Sequence, residues 1–408
     1  MMHFRLFLFA SVFLTNAIAA QVTIRNRCNT EQPILIGARV GDKIFAIDTV
    51  KGKILESSLK GPGMYAIIQN GNLIGDFIIK RVEDSFEISI NCDSIINSSS
   101  QYNSDFKKFV RSIDSLKEAS YQVMTEESKE LLEWCYPQLR VKNEYPNART
   151  NFDFNTIFIQ YFKESQDFLR QSPFFEMNLE YYFSNLISQD QDTLIKYIPK
   201  LEQVLSTDAL NYFKRWALHR FESSKVLGHE NVFIDLALRY VGNRGPIFDS
   251  ATDYNVLSKA KLLFPNRIGT VVSDFTFNQF VGGAQKRFTE CEGIYKVIFF
   301  FDPDCHHCKE SFPDLIKFSS DYASHGVKVY AISVGVDNEE LKEFWDEFGG
   351  PATVVLGSDT DVSKVTFRNF YHIPSTPTIY LVQSNGICIA RGISASELSK
   401  LFEQIVNN

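Results

Sequence analysis

The run Val297-Ile-Phe-Phe-Phe-Asp-Pro-Asp-Cys305-His306-His307-Cys308-Lys309 sets two cysteines three positions apart, directly behind an apolar stretch. If that stretch is a buried strand and a helix opens at the first cysteine, both thiols fall in the first turn. They can then close a disulfide with little backbone movement. Cys305 would sit where unpaired backbone N–H groups and the helix dipole favour a thiolate, the nucleophile of disulfide exchange. His306 and His307 can add positive charge beside it. Asp304, immediately before it, sets a carboxylate against the thiolate and partly cancels that effect. Cys308, one turn inward, is placed to resolve a mixed disulfide.

Other uses of the same residues fit less well. A structural disulfide across Cys-x-x-Cys closes too little chain to stabilise much. A structural zinc site usually recruits a second pair of ligands, and downstream only Cys388 and His372 are available. Covalent haem requires His after the second cysteine, whereas Lys309 follows Cys308. No cofactor or metal is expected.

The elements around the motif alternate. Val297–Phe301 and Val327–Val334 read as buried strands, and Cys305–Tyr322 as a helix. Asn338–Phe348 reads as a second helix, capped by Asn338 with Glu339 and Glu340 in its first turn. Thr378–Val382 and Ile387–Arg391 flank the hairpin turn Ser384-Asn385-Gly386, and Ser394–Val406 closes with a helix. This order implies a layered sheet covered by helices.

Towards the N-terminus the texture changes twice. Between Gln21 and Cys92, short β-rich runs alternate with turns such as Gly61-Pro62-Gly63 and Asn70-Gly71-Asn72, the pattern of a small antiparallel sandwich. After Asn97-Ser98-Ser99-Ser100, helical spacing dominates to about Phe264. Phe106, Phe109, Val110, Ile113 and Leu116 keep that spacing, as do Leu210, Phe213, Ala217 and Phe221. The aromatic group Phe174, Phe175, Tyr181, Tyr182 and Phe183 reads as ordinary core.

Met1–Ala20 carries Arg5, an apolar run from Leu6 to Leu14 and the small residues Ala17-Ile18-Ala19-Ala20, the pattern of a secretory signal peptide. The apolar run is too short to span a bilayer. The expected organisation is therefore multidomain. A leader over 1–20 precedes an antiparallel β-sandwich over 21–96, an α-helical domain over 97–262 and an α/β domain over 263–408. The mature protein is expected to be exported, periplasmic or otherwise extracytoplasmic, and soluble.

The 408 residues carry 42 Lys and Arg against 49 Asp and Glu, a net charge of −7. That balance argues against a general nucleic-acid binder. Seven cysteines are too few for a disulfide-built scaffold. Cys28 and Cys92 both lie in the β-rich region and are candidates to pair in an oxidising compartment; otherwise they are buried apolar thiols. Of the five cysteines outside the motif, the other three are Cys135, Cys291 and Cys388.

From about residue 264 onward the chain resembles the thioredoxin fold, specifically secreted thiol–disulfide oxidoreductases of the TlpA and ResA type. The resemblance rests on Cys305-x-x-Cys308 after an apolar strand, on Pro313 within the following helix, and on Ile373-Pro374-Ser375-Thr376-Pro377-Thr378. Asp274-Phe275-Thr276-Phe277 resembles the opening strand of that branch. The resemblance implies that Pro377 is the family's cis-proline and that Thr376 lies near the sulfurs, where the pair orients an extended substrate strand. More weakly, the preceding residues resemble the β and helical domains that precede such modules in many Bacteroidetes proteins.

The implied activity is exchange with protein disulfides or thiols, with Cys305 attacking and Cys308 resolving. A membrane or soluble electron-transfer partner is implied as well. Two departures stand out. The family's buried acid, six residues before the first cysteine, is Phe299 here, which leaves Asp302, Asp304 or His307 to accept a proton. The inner dipeptide is His306-His307, which points to a redox potential above that of thioredoxin. Alternative functions are a peroxidase, although no Thr precedes Pro303 between Phe299 and Asp302, and a metal- or partner-binding protein using the Cys-His cluster.

Overall fold

In a computed structural model of the protein, the structure describes residues 19–28, 32–40, 43–59, 61–81, 84–111, 124–136, 155–163, 172–242, 247–335, 338–359 and 367–407. Of the expected leader only Ala19 and Ala20 lie among them. The chain divides into two compact units, one up to residue 216 and one from residue 217.

The first unit opens with eight strands: β1 (Ala20–Asn26), β2 (Ile34–Val40), β3 (Lys43–Val50), β4 (Ile54–Leu59), β5 (Gly63–Gln69), β6 (Asn72–Ile79), β7 (Ser85–Ile90) and β8 (Ile95–Ser98). They form two four-stranded sheets, ordered β4-β1-β7-β8 and β3-β2-β5-β6. Alternation along β1 sends Val22 and Ile24 inward and leaves Gln21 and Arg25 outward. The inward residues meet Ile34, Ile36 and Ile67 of the other sheet in one core.

The sheets are not wholly antiparallel. β1 runs antiparallel to β4 but parallel to β7, with Gln21 opposite Ser85 and Asn26 opposite Ile90. The short polar strands β4 and β8 are absent from the sequence reading, and the latter occupies part of the serine-rich stretch read there as a break. Cys28 and Cys92 are joined in a disulfide.

Helices follow: α1 (Gln101–Arg111), α2 (Glu126–Cys135), helical residues at 155–163, α3 (Pro173–Tyr181), α4 (Gln191–Glu202) and α5 (Thr207–Ser223). Phe106 is buried, whereas Ile113 and Leu116 of the same stripe lie outside the described residues. Phe175, Tyr182 and Phe183 are buried, with the Phe183 ring stacked on Phe213 at 6.0 Å, so these aromatics fill core.

The second unit holds α6 (His229–Tyr240) and α7 (Ser250–Leu263), which pack on each other, then β9 (Thr276–Gln279), β10 (Gln285–Arg287), β11 (Tyr295–Phe301), α8 (His306–Asp321), β12 (Val327–Ser333), α9 (Asn338–Glu347), β13 (Val354–Asp359), β14 (Thr378–Gln383), β15 (Cys388–Arg391) and α10 (Ala395–Asn407). The strands make one sheet in the order β10-β9-β13-β12-β11-β14-β15. β11 lies inside it, parallel to β12 and antiparallel to β14.

The two-residue period of a strand explains the five-residue apolar run in β11. Val297, Phe299 and Phe301 face a core shared with Phe312 and Leu315 of α8 and Phe402 of α10. Ile298 and Phe300 face a second core with Phe275, Tyr371 and Tyr380. A strand buried on both faces ends at a fixed height, and the loop leaving it delivers Cys305 to the start of α8.

Arg391, at the end of β15, fastens α6 and α7 to this sheet. Its side chain is 3% exposed. It donates to both carboxylate oxygens of Glu230 on α6, to the carbonyl of Leu263 at 2.8 Å and to that of Asn266 at 3.0 Å.

Candidate active site

Cys305 is the N-cap residue of α8, with extended backbone angles (φ −72°, ψ 115°). The loop is held by its own backbone: the Cys305 N–H donates to the carbonyl of Asp302 at 3.1 Å, and the Asp304 N–H to Asp302 Oδ1 at 3.0 Å. The Cys305 carbonyl accepts the first helical bonds, from Cys308 at 3.0 Å and Lys309 at 3.1 Å. The Cys305 thiol is partly exposed and the Cys308 thiol is fully buried.

The second contributor arrives with β14, the antiparallel neighbour of β11. The loop before β14 brings Thr376 to the sulfurs, and the Cys305 thiol lies 3.3 Å from the Thr376 carbonyl oxygen, to which it donates. The Thr376–Pro377 peptide is cis. The structure thus gathers Cys305, Cys308, Thr376 and Pro377 at one end of the sheet.

The two thiols are driven apart in acidity. Burial acts to raise the Cys305 thiol, but hydrogen bonds from Cys308, from the Thr376 side chain and from the backbone amides of Cys308 and His307 outweigh it. Cys305 is held below its ordinary value. Cys308 is pushed up to about 12, by burial first and then by its hydrogen bond with Cys305. One thiol is primed as a thiolate and the other is kept as its proton-bearing partner.

The remaining motif residues stand differently from the reading above. Both imidazoles are turned to solvent, with side chains 80% and 77% exposed, and both pair with Glu310, His306 at 3.2 Å and His307 at 3.1 Å. Helical spacing of three and four residues makes those pairs. Glu310 is the functional-site residue missing from the sequence reading, and that spacing was its signal. Asp304 is exposed at the mouth of the loop. Phe299 is buried in the cluster that holds Cys308, its ring stacked on Phe301 at 5.6 Å, so a phenyl ring occupies the position of the family's acid. Among the described residues no three His, Cys, Asp or Glu side chains converge as a metal site.

The thioredoxin-like family pattern matches residues 293–388. No curated protein matches the chain. Among solved structures, a thioredoxin-like protein from Bacteroides caccae is 16% identical with a TM-score of 0.48, over 64% of this chain and 95% of that one. A domain of a possible thiol-disulfide isomerase from Cytophaga hutchinsonii is 22% identical with a TM-score of 0.33, over 35% of this chain and 96% of that one. The thioredoxin domain of a thiol-disulfide oxidoreductase from Bacteroides vulgatus is 22% identical with a TM-score of 0.31, over 34% of this chain and 97% of that one. The family match spans β11 to the start of β15, and residues 293–388 are a thioredoxin-like domain.

Proposed function

We propose that this protein is an exported thiol–disulfide oxidoreductase that exchanges disulfides with protein substrates through Cys305 and Cys308. The observation that carries the reading is the arrangement of the two thiols: Cys305 partly exposed at the N-cap of α8, its thiol donating to the Thr376 carbonyl at 3.3 Å, and Cys308 buried one turn behind it. The thioredoxin-like family pattern over residues 293–388 supports the reaction class.

In the reducing direction the Cys305 thiolate attacks one sulfur of a substrate disulfide. The substrate S–S bond breaks, a mixed disulfide forms, and the departing sulfur takes a proton. Cys308 then loses its proton and attacks Cys305, releasing the second substrate thiolate and closing the Cys305–Cys308 disulfide. Two electrons pass from the protein dithiol to the substrate disulfide. A dithiol-bearing partner, soluble or in the membrane, restores the pair. The same steps run in reverse when the substrate dithiol is the stronger reductant, and a disulfide-bearing partner then restores the Cys305–Cys308 disulfide. Thr376, with Pro377, orients the substrate strand beside the sulfurs, and Asp304, His306 and His307 border the site.

Export rests on the leader pattern over 1–20. Cleavage after Ala20 would leave Gln21, the second residue of β1, at the start of the mature chain. Among the described residues no helix is long and apolar enough to cross a membrane.

Trapping tests the reaction. Cys308→Ala cannot resolve, so it should accumulate substrates as mixed disulfides on Cys305 that a reductant releases. If no reductant-sensitive adduct forms with this variant in the native compartment, the reading fails.

A further inference from the structure

Two cavities meet at the loop that carries Thr376, and they differ in charge. Both are lined in part by His372 and Pro374. In the smaller, about 220 Å³, the charges are matched: Lys259 pairs with Glu222 at 3.0 Å and Arg391 with Glu230. The larger, about 480 Å³, runs from Leu262 of α7 and Val334 beyond β12 to Arg368, Ile373 and Thr376. That volume falls within the roughly 300–1,000 Å³ of binding clefts. Thr376, one of its lining residues, also accepts a hydrogen bond from the Cys305 thiol at 3.3 Å, which ties the cavity to the reactive sulfur.

Among the described residues lining the larger cavity, one carries a standing charge, and it is positive. The Arg368 side chain is 44% exposed and contacts the buried carboxylate of Asp359 at 3.5 Å. Asp359 is not part of the lining, so the carboxylate sits behind the guanidinium and helps to aim it. A guanidinium carries five N–H donors in a planar fork and can hold a second carboxylate. His372 adds donors rather than charge, since burial, Arg391 and Lys259 hold its imidazole below the ordinary value. The rest of the wall is apolar or hydroxylic: Leu262, Val334, Ile373, Thr376.

We propose that this cavity is a specificity subsite for polypeptide substrates bearing an acidic residue beside the reactive cysteine, with Arg368 receiving the carboxylate. The inference rests on the oxidoreductase reading above and names the class of substrate that the same site prefers. In the reducing direction the chemistry is unchanged: the Cys305 thiolate breaks the substrate S–S bond, and Cys308 completes the two-electron transfer. Arg368 touches only the neighbouring side chain.

The test uses the full chain, reduced, in single turnover. The probes are short fluorescent peptides with one cysteine held as a mixed disulfide with cysteamine. They are identical except for Glu, Gln or Lys placed on each side of the cysteine in turn. The Glu peptides should be reduced about fivefold faster than the Gln peptides, and the Lys peptides slowest, with the spread shrinking at high salt. Arg368→Gln should bring the Glu-to-Gln ratio to about one, and Arg368→Lys should keep much of it. The peptide comparison in the unaltered protein stands even if loss of Arg368 disturbs Asp359. Equal rates for Glu and Gln, or faster Lys peptides, overturn the acidic preference and leave the oxidoreductase reading standing. Failure to reduce any of the peptides overturns both.

Discussion

The sulfur of Cys305 lies 3.3 Å from the carbonyl oxygen of Thr376, 71 positions further along the chain. One residue comes from the mouth of a helix and the other from the loop before β14, so the site exists only once the sheet has closed. Thr376 also contributes a side-chain hydrogen bond that lowers both thiols. Thr376→Val keeps the shape and removes the hydroxyl. The Cys305 thiol should then titrate about one pH unit higher, since a hydrogen bond to a charged group is worth about 1.5–3 kcal/mol and one pH unit is about 1.4 kcal/mol. The rate of alkylation by iodoacetamide against pH reads this directly.

The buried Cys308 thiol makes resolution the slow half of the exchange near neutrality. With its value at about 12, few molecules carry the Cys308 thiolate at pH 7. Release from a mixed disulfide at Cys305 should therefore accelerate steadily through the alkaline range, well beyond the pH at which attack by Cys305 has levelled off. Phe299→Asp restores an acid within the same buried cluster. Resolution at pH 7 should become faster, while the melting temperature drops, because a core ring is replaced by a carboxyl at a cost of about 3–5 kcal/mol. Stopped-flow release of a fluorescent thiol and a thermal melt separate the two effects.

The same pair predicts how stability depends on pH. The folded value of Cys308 is raised above the unfolded value of about 8.5, so its contribution is complete below about pH 8.5 and is lost as pH rises towards about 12. The folded value of Cys305 is depressed, so its contribution is present above the unfolded value and lost as pH falls through the folded one. The reduced protein should gain stability relative to the oxidised protein up to about pH 8.5 and lose it above. Groups common to both forms cancel in the difference between the two melting curves.

Glu310 holds both imidazoles of the motif. Glu310→Gln removes a negative charge near the thiolate and leaves the histidines in place. The Cys305 thiol should fall by a few tenths of a pH unit and the redox potential should rise. The unaltered protein is expected to equilibrate with glutathione above the thioredoxin value of about −270 mV, and the variant higher still. Quantifying the dithiol by mass spectrometry across glutathione buffers measures both.

Arg391 is the clamp between β15 and the helices α6 and α7. Arg391→Met leaves the Glu230 carboxylate and two backbone carbonyls without their donor, and should cost about 3–5 kcal/mol. Arg391→Lys should recover little, because an ammonium cannot reproduce the planar fork. Urea unfolding of the full chain, followed by tryptophan fluorescence, checks both variants.

The motif and the elements around it were legible because each carries a local signal. Two thiols follow an apolar run, Asn338 precedes two acidic residues, and Ser384-Asn385-Gly386 marks a hairpin. The strand β11 was found from Val297 onward because burial on both faces makes its apolar run continuous, and its first two residues, Tyr295 and Lys296, fell outside that run. The strands β4, β8 and β10 escaped because short edge strands with polar outward faces look like loop, and the inner strand β13 escaped because it ends in Gly357-Ser358-Asp359, which reads as a turn. The parallel pairing of β1 with β7 could not be read, since alternation along a strand reports which face is buried and not which neighbour lies beside it. The pairing of the histidines with Glu310 went unread for a similar reason: their sequence position draws the eye to Cys305, whereas helical spacing of three and four residues brings Glu310 to both. Arg391 had no signal of its own, its partners lying at Glu230, Leu263 and Asn266.

That pairing of β1 has a consequence for how the chain is made. β1 is an inner strand of its sheet, flanked by β4 and β7, and both neighbours follow it in the chain. Gln21 must wait for Ser85 before its second edge is covered. Throughout that interval the nascent segment presents an uncovered, half-apolar edge, the kind that strays into mispairing with other chains. A chaperone that shields residues 20–26 until residue 90 has emerged would therefore raise the yield of folded protein more than one acting on any later strand.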